Sequence, residues 1–267
     1  MNKSISLKIT ESAIMIALAT ILSMATFINL PFGGSVTILS MLPIIIIAYR
    51  HGTKWGLLTA FTYSILQMIL GLKSFSYVTG WKSVLAVAFL DYIFAFVVLG
   101  LGGTFRKAFK SKGTALAMGT ILACILRFLF HVISGYAIWR DISIPSQAAW
   151  EYSLLYNASY MLPETILTAV GAYFAGEVFV LDEERIKRIP TGASIAKKIY
   201  TILPICICVA VSAVLLLSMM NSEETPFDIT LLTQAGFYGW LPIIVVMAVG
   251  VITSIFVSKN YKSQKSA

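Results

Sequence analysis

The stretch RFLFHVISGYAIW, Arg127–Trp139, ends an apolar run that begins near residue 113, yet it carries an arginine and a histidine. At 1.5 Å of rise per residue the run is long enough to cross a hydrocarbon core of about 30 Å. Ionisable side chains inside such a span cost roughly 2.5–3.5 kcal/mol each, so they face a bundle interior or a cavity. Arg127, His131, Gly135 and Trp139 recur every fourth residue. Residues at that spacing drift by only about 40° and share one half of a helix surface. The stretch therefore predicts a membrane helix with an inward polar stripe.

Similar apolar runs recur near residues 10–30, 37–49, 54–72, 83–104, 152–179, 198–219 and 236–257. Hydrophobic side chains make up 58% of the chain and charged ones 12%, half the share usual in soluble proteins. The expected fold is an all-α integral membrane protein with eight crossings. The second span is short and contains Pro43, and the first, following Lys3 and Lys8, is too long for a signal peptide and reads as a retained helix.

The net charge of +8 raises the question of nucleic acid, which the distribution of charge answers. Outside the spans, Lys73, Lys82 and Arg140 are alone in one set of alternating loops, while the other basic residues gather in the set that includes both termini. That is the positive-inside pattern. It places both termini in the cytoplasm and gives no reason to expect nucleic acid. Cys124, Cys206 and Cys208 sit within spans at no metal or disulfide spacing, and no phosphate loop, zinc-protease helix or nucleophile elbow occurs. No cofactor is expected, and any use of ATP requires a partner.

The segment 181–198, charged and broken by Pro190 and Gly192, reads as a cytoplasmic linker. It divides a six-helix substrate-binding body, 1–180, from a two-helix appendix, 199–267. The loop NLPFGGSV after the first span is either a mobile lid or a tight connector.

The residues able to carry chemistry are Asp91, Arg127, His131 and Glu164. With the fourth span running inward and the fifth outward, Asp91 falls between His131 and Arg127 in depth, and Tyr152 and Asn157 occupy the outer turns of the sixth span. A carboxylate among aromatic rings suits an organic cation, and an amide pairs with a heterocycle. The alternative is an Asp91–Arg127 ion pair that ties two helices together. Trp81, Trp139 and Trp150 also fit an interfacial aromatic belt. Glu164, after Pro163, has three candidate roles: helix kink, partner of Arg127, or pocket floor. Ala13 and Ala17 form a small-x-x-x-small pair that permits close helix approach.

The pieces FLDYIFAF (89–96), FHVISGYAIW (130–139) and EYSLLYNAS (151–159) resemble the thiamine-specific S components of energy-coupling factor (ECF) transporters, over about residues 8–180. The resemblance implies a non-enzymatic membrane body, in the prokaryotic plasma membrane, that captures thiamine or a related small molecule at the external face. It would then dock on one transmembrane coupling protein and two ATPase subunits. Asp91 would lie by the thiazolium, with His131 and Trp139 flanking that ring. Tyr152 and Asn157 would hold the pyrimidine region, Tyr92 and Gly135 would line the pocket, and Ala13 and Ala17 would form the docking motif. The chain departs from the family in having Asp91 where Glu is usual, no tryptophan in the first loop, where Phe32 is the available substitute, and two additional C-terminal helices. Two further readings remain open at this stage, a self-sufficient secondary transporter and an intramembrane enzyme using His131 with Asp91.

Overall fold

The computed structural model describes residues 4–30, 34–140, 149–183, 185–189, 192–220, 228 and 230–261. Phe32 and the acidic loop 221–227 lie outside them. Two compact units follow one another, Met1–Lys187 and Arg188–Ala267.

Helix α1 (Ile5–Met24) starts at Ser4, whose Oγ accepts from the Leu7 N–H at 3.2 Å. It stops six residues short of the span expected from hydrophobicity. Thr26–Asn29 (β1) instead pairs antiparallel with Ser35–Thr37 (β2). A helix cannot run into the Leu30-Pro31 step, because proline clashes with the preceding turn, and the β-branched residues on either side favour a ribbon. The same pairing delays the second helix, α2 (Leu42–His51), to five residues beyond the expected start, with Pro43 accommodated in its first turn. Ten residues rise only about 15 Å, half a bilayer, so α2 must be enclosed by longer helices. Ile44, Ile45, Ile47 and Ala48 are fully buried accordingly.

A single residue, Gly52, links α2 to α3 (Thr53–Leu70) at φ +89°, a conformation a side chain would strain. Helix α4 (Trp81–Gly103) is irregular: a π-helical turn, Ala88–Phe94, interrupts it, and a 3₁₀ turn, Val98–Gly103, ends it. That end approaches α5 (Lys112–Ala137) so closely that a Cβ on Gly119 would lie 1.9 Å from the Gly102 carbonyl oxygen. Helix α6 (Ala149–Val178) contains Pro163 and packs along α5.

Polar residues of α1 turn inward. Trp55 Nε1 donates to Ser12 Oγ at 2.9 Å, Gln67 Nε2 donates to Ser23 Oγ at 2.9 Å, and Glu11 pairs with Arg50 and His51. Ala13 and Ala17 therefore stay on the exposed face.

In the second unit, α7 (Ala193–Met219) begins within the segment expected to be linker, directly after Gly192. It packs on α8 (Gly236–Asn260) through Cys208 against Gly250, and Ser254 Oγ donates to the Thr201 carbonyl at 2.6 Å. Among the described residues, five helices are both long and apolar enough to cross a membrane on length and composition alone. The chain is an all-helical integral membrane protein with a six-helix body and two further C-terminal helices.

Candidate substrate site

A cavity of about 710 Å³ opens within the first unit, walled by α3, α4, α5, α6 and the β1–β2 ribbon. Every residue singled out for binding, Asp91, Tyr92, His131, Gly135, Trp139, Tyr152 and Asn157, lines it. Ala13 and Ala17, read as a docking pair, do not.

The π-helical turn of α4 presents Asp91 to α5. One extra residue in a helical turn re-aims the side chains that follow, and such turns concentrate at functional sites. Ser134 Oγ donates to Asp91 Oδ2 at 2.7 Å, Trp139 Nε1 donates to the same oxygen at 3.1 Å, and His131 Nδ1 lies 3.1 Å from Oδ1. His131 and Ser134 on α5, and Trp139 two residues past its end, thus hold the carboxylate, and no Lys or Arg pairs with it among the described residues. Lys73 lines the cavity as well, at its exposed rim. His131 Nε2 is left without a protein partner.

The alternative Asp91–Arg127 pair is not what forms. Arg127 donates through Nη1 to Glu164 Oε2 at 3.0 Å and to the Met41 sulfur at 3.1 Å, and its guanidinium lies 4.6 Å from the Phe96 ring centroid. Of the three roles open to Glu164, the structure supports the partner of Arg127, at the cavity wall. Thr37 donates to its other oxygen and shares a 2.6 Å hydrogen bond with Ser40. The two carboxylates of the cavity are therefore unequal: Glu164 is paired with an arginine, whereas Asp91 meets His131 and, among the described residues, no Lys or Arg.

The remaining walls are aromatic. Tyr92 stacks on Phe75 at 5.5 Å between centroids and donates through its hydroxyl to the Gly71 carbonyl at 2.9 Å. Trp139 is 8% exposed and tilts against Tyr77, while Trp81 and Trp150 are 70% and 52% exposed. The belt reading suits those two and not Trp139. Asn157 is held in orientation, its amide N–H donating to the Ser153 carbonyl at 2.9 Å and its Oδ1 accepting from Tyr160 at 2.8 Å.

Sequence reasoning missed Ser134, Thr37, Tyr156 and Tyr160. Ser134 was within reach of the helical argument, because it follows His131 by three and shares its face. Thr37 was not, since only the ribbon brings it to Glu164. Tyr156 Oη accepts from the Gly34 N–H at 3.2 Å and so fastens the ribbon to α6.

Among the described residues no group of three or more potential metal ligands occurs. A second groove, about 630 Å³ between α7 and α8, is lined by Leu203, Ile207, Val249 and similar residues and offers no charged group.

Two curated relatives bear the description thiamine transporter ThiT. The protein from Bacillus subtilis (strain 168) is 36% identical over 182 residues, covering 64% of this chain and 91% of the relative. That from Lacticaseibacillus paracasei is 31% identical over 175 residues, covering 61% and 83%. The solved structure of ThiT from Listeria monocytogenes superposes with a TM-score of 0.53 at 20% identity over 64% of this chain and 93% of that one, a likeness of fold. Residues 9–177, which contain the whole cavity, match the family described as Thiamine transporter protein (Thia_YuaJ), and the chain belongs to that family.

Proposed function

We propose that the six-helix body binds thiamine in the 710 Å³ cavity, with Asp91 as counter-ion to the thiazolium. The observation that carries this reading is the partly buried carboxylate of Asp91, held by Ser134, Trp139 and His131 and paired with no Lys or Arg among the described residues. An intramembrane carboxylate without a counter-ion is costly unless a ligand supplies one. Family membership agrees, and the protein is a transport protein rather than an enzyme.

His131 and Trp139 flank the thiazolium in this reading, Tyr152 and the fixed amide of Asn157 hold the pyrimidine, and Tyr92 and Gly135 complete the wall. Attraction of a cation to aromatic faces adds about 0.5–2 kcal/mol per ring. The shorter arm of Asp91, relative to the Glu usual in the family, is met by His131 and Ser134 of α5 and by Trp139 just beyond it.

Capture takes place at the external face, with both termini in the cytoplasm, as the distribution of Lys and Arg suggests. Release requires an ECF module of one transmembrane coupling protein and two ATPase subunits. Ala13 and Ala17, exposed while Ser12, Ser23 and Glu11 face inward, form the docking surface on α1. Titration of the purified protein with thiamine, followed by tryptophan fluorescence and calorimetry, tests the binding step. Saturable binding that Asp91→Asn abolishes supports it; near wild-type affinity in that variant removes Asp91 from the site.

A further inference from the structure

Helix α1 is fastened to the six-helix body by a seam of polar groups. Trp55, Thr59, Tyr63 and Gln67 recur every fourth residue on α3, and all four reach α1. Trp55 Nε1 and Thr59 Oγ1 donate to Ser12 Oγ at 2.9 and 3.2 Å. Tyr63 Oη donates to the Ala19 carbonyl at 3.4 Å, and Gln67 Nε2 to Ser23 Oγ at 2.9 Å. Beside Ser12, Glu11 accepts from Arg50 Nε at 2.6 Å and lies 2.7 Å from His51 Nε2. Glu11, Ser12, Ala19 and Ser23 fall within one arc of about 120° on α1, and Ala13 and Ala17 lie on the other side. Ile14 and Leu18, next to those alanines, are exposed at 61% and 44%.

In hydrocarbon an apolar side chain gains little by exchanging lipid for protein, so apolar residues do not fix which face of α1 turns inward. A carboxylate does, because turning it to lipid is costly. Resting on the reading of α1 as the docking surface, we infer that Glu11 is a positioning residue for the docking step. Its grip on Arg50 and His51, continued by the α3 seam, sets the rotation of α1 that holds Ala13 and Ala17 outward. A rotation by one residue, about 100°, would carry Ala13 to the place of Ser12 and bring Ile14 and Leu18 to the places of Ala13 and Ala17. Bulky side chains there prevent the close backbone approach that small residues permit. Glu11, Ser12 and Arg50 do not line the cavity, so this role is separable from thiamine binding.

The test pairs two readouts on the full-length protein. One is thiamine affinity by calorimetry in detergent. The other is recovery of the complex with a co-expressed coupling protein and its ATPase subunits, together with ATP-driven thiamine uptake into vesicles. Glu11→Gln is expected to keep thiamine affinity within about threefold of wild type. It should lower complex recovery and uptake by about tenfold or more, since the charge that orients α1 is gone. Glu11→Asp keeps the charge and should recover most of both. The pair Glu11→Gln with Arg50→Met removes both charges, which spares the fold an unpaired buried ion, and should show the same loss of docking. Leu116→Ala empties a fully buried position on α5, outside the seam and the cavity wall, and should lower the melting temperature while leaving complex recovery near wild type. Wild-type recovery in Glu11→Gln, or an equal loss in Leu116→Ala, overturns the positioning role. Full assembly by Ala17→Trp removes the docking reading itself, an outcome distinct from a misassigned Glu11.

Discussion

Two charges inside the six-helix body, Arg50 buried and Asp91 partly buried, are treated in opposite ways. Arg50, 2% exposed, is satisfied completely by the protein: Glu11 grips it through both oxygens, and the carbonyls of Leu181 and Glu183 each accept at 2.8 Å. Asp91 receives hydrogen bonds from Ser134 and Trp139 and meets His131, but pairs with no Lys or Arg among the described residues. The first arrangement fastens α1 and the end of α2 to the chain beyond α6 and has no need of a ligand. The second leaves the carboxylate without an arginine or lysine, as the proposed cation site requires. Completeness of partners, more than burial itself, separates a structural charge from a binding one.

The comparison can be broken by substitution, and the largest effect belongs to Arg50. Arg50→Ala leaves Glu11 with His51 as its remaining partner, takes the donor from two carbonyls and should cost about 3–5 kcal/mol of stability, read as a fall in the melting temperature of the solubilised protein. If thiamine affinity changed while the melting temperature did not, the roles assigned to the two charges would be reversed. Asp91→Asn should do the converse. It is expected to weaken thiamine binding by about 2–5 kcal/mol in calorimetry while leaving thermal stability close to wild type, because the amide preserves the shape.

A smaller effect sharpens the picture of the Asp91 shell. Ser134→Ala removes a 2.7 Å hydrogen bond to the carboxylate and should lower thiamine affinity by about 1 kcal/mol, roughly fivefold. An unchanged affinity would show that Trp139 and His131 suffice to orient Asp91. The smallest effect is expected from ending the chain after Lys187. All the cavity residues lie within Met1–Lys187, so thiamine affinity should stay within about threefold of the full chain. A large loss on titrating the shortened protein would give α7 and α8 a part in binding.

Much of the site was legible because helical periodicity is rigid. Once the span over 113–137 is recognised, the four-residue spacing of Arg127, His131, Gly135 and Trp139 commits them to one face, and the cost of charge in hydrocarbon commits that face inward. Asp91, Tyr152 and Asn157 followed from depth on neighbouring helices, and Tyr92 from the family resemblance alone. Periodicity fails where the helix changes its own geometry. The π-helical turn that aims Asp91 and the ribbon that replaces the end of the first span have no distinct apolar signature, because Thr26–Asn29 and Ser35–Thr37 are as hydrophobic as a helix end.

Pairing between charges was likewise beyond the sequence. Arg127 has two carboxylates at comparable depth, Asp91 and Glu164, and depth does not choose between them. The choice falls to Glu164 because α5 and α6 pack along each other, and because Thr37, carried in on the ribbon, stabilises that carboxylate as well. The sequence by itself determined a multi-pass helical protein, its six-plus-two division and the faces that hold its polar residues, since these depend on transfer free energy and on a fixed rise and twist per residue. Only the tertiary structure decided which carboxylate Arg127 would pair with. Coulombic pairing depends on distances of a few ångströms between helices, and packing alone sets those distances.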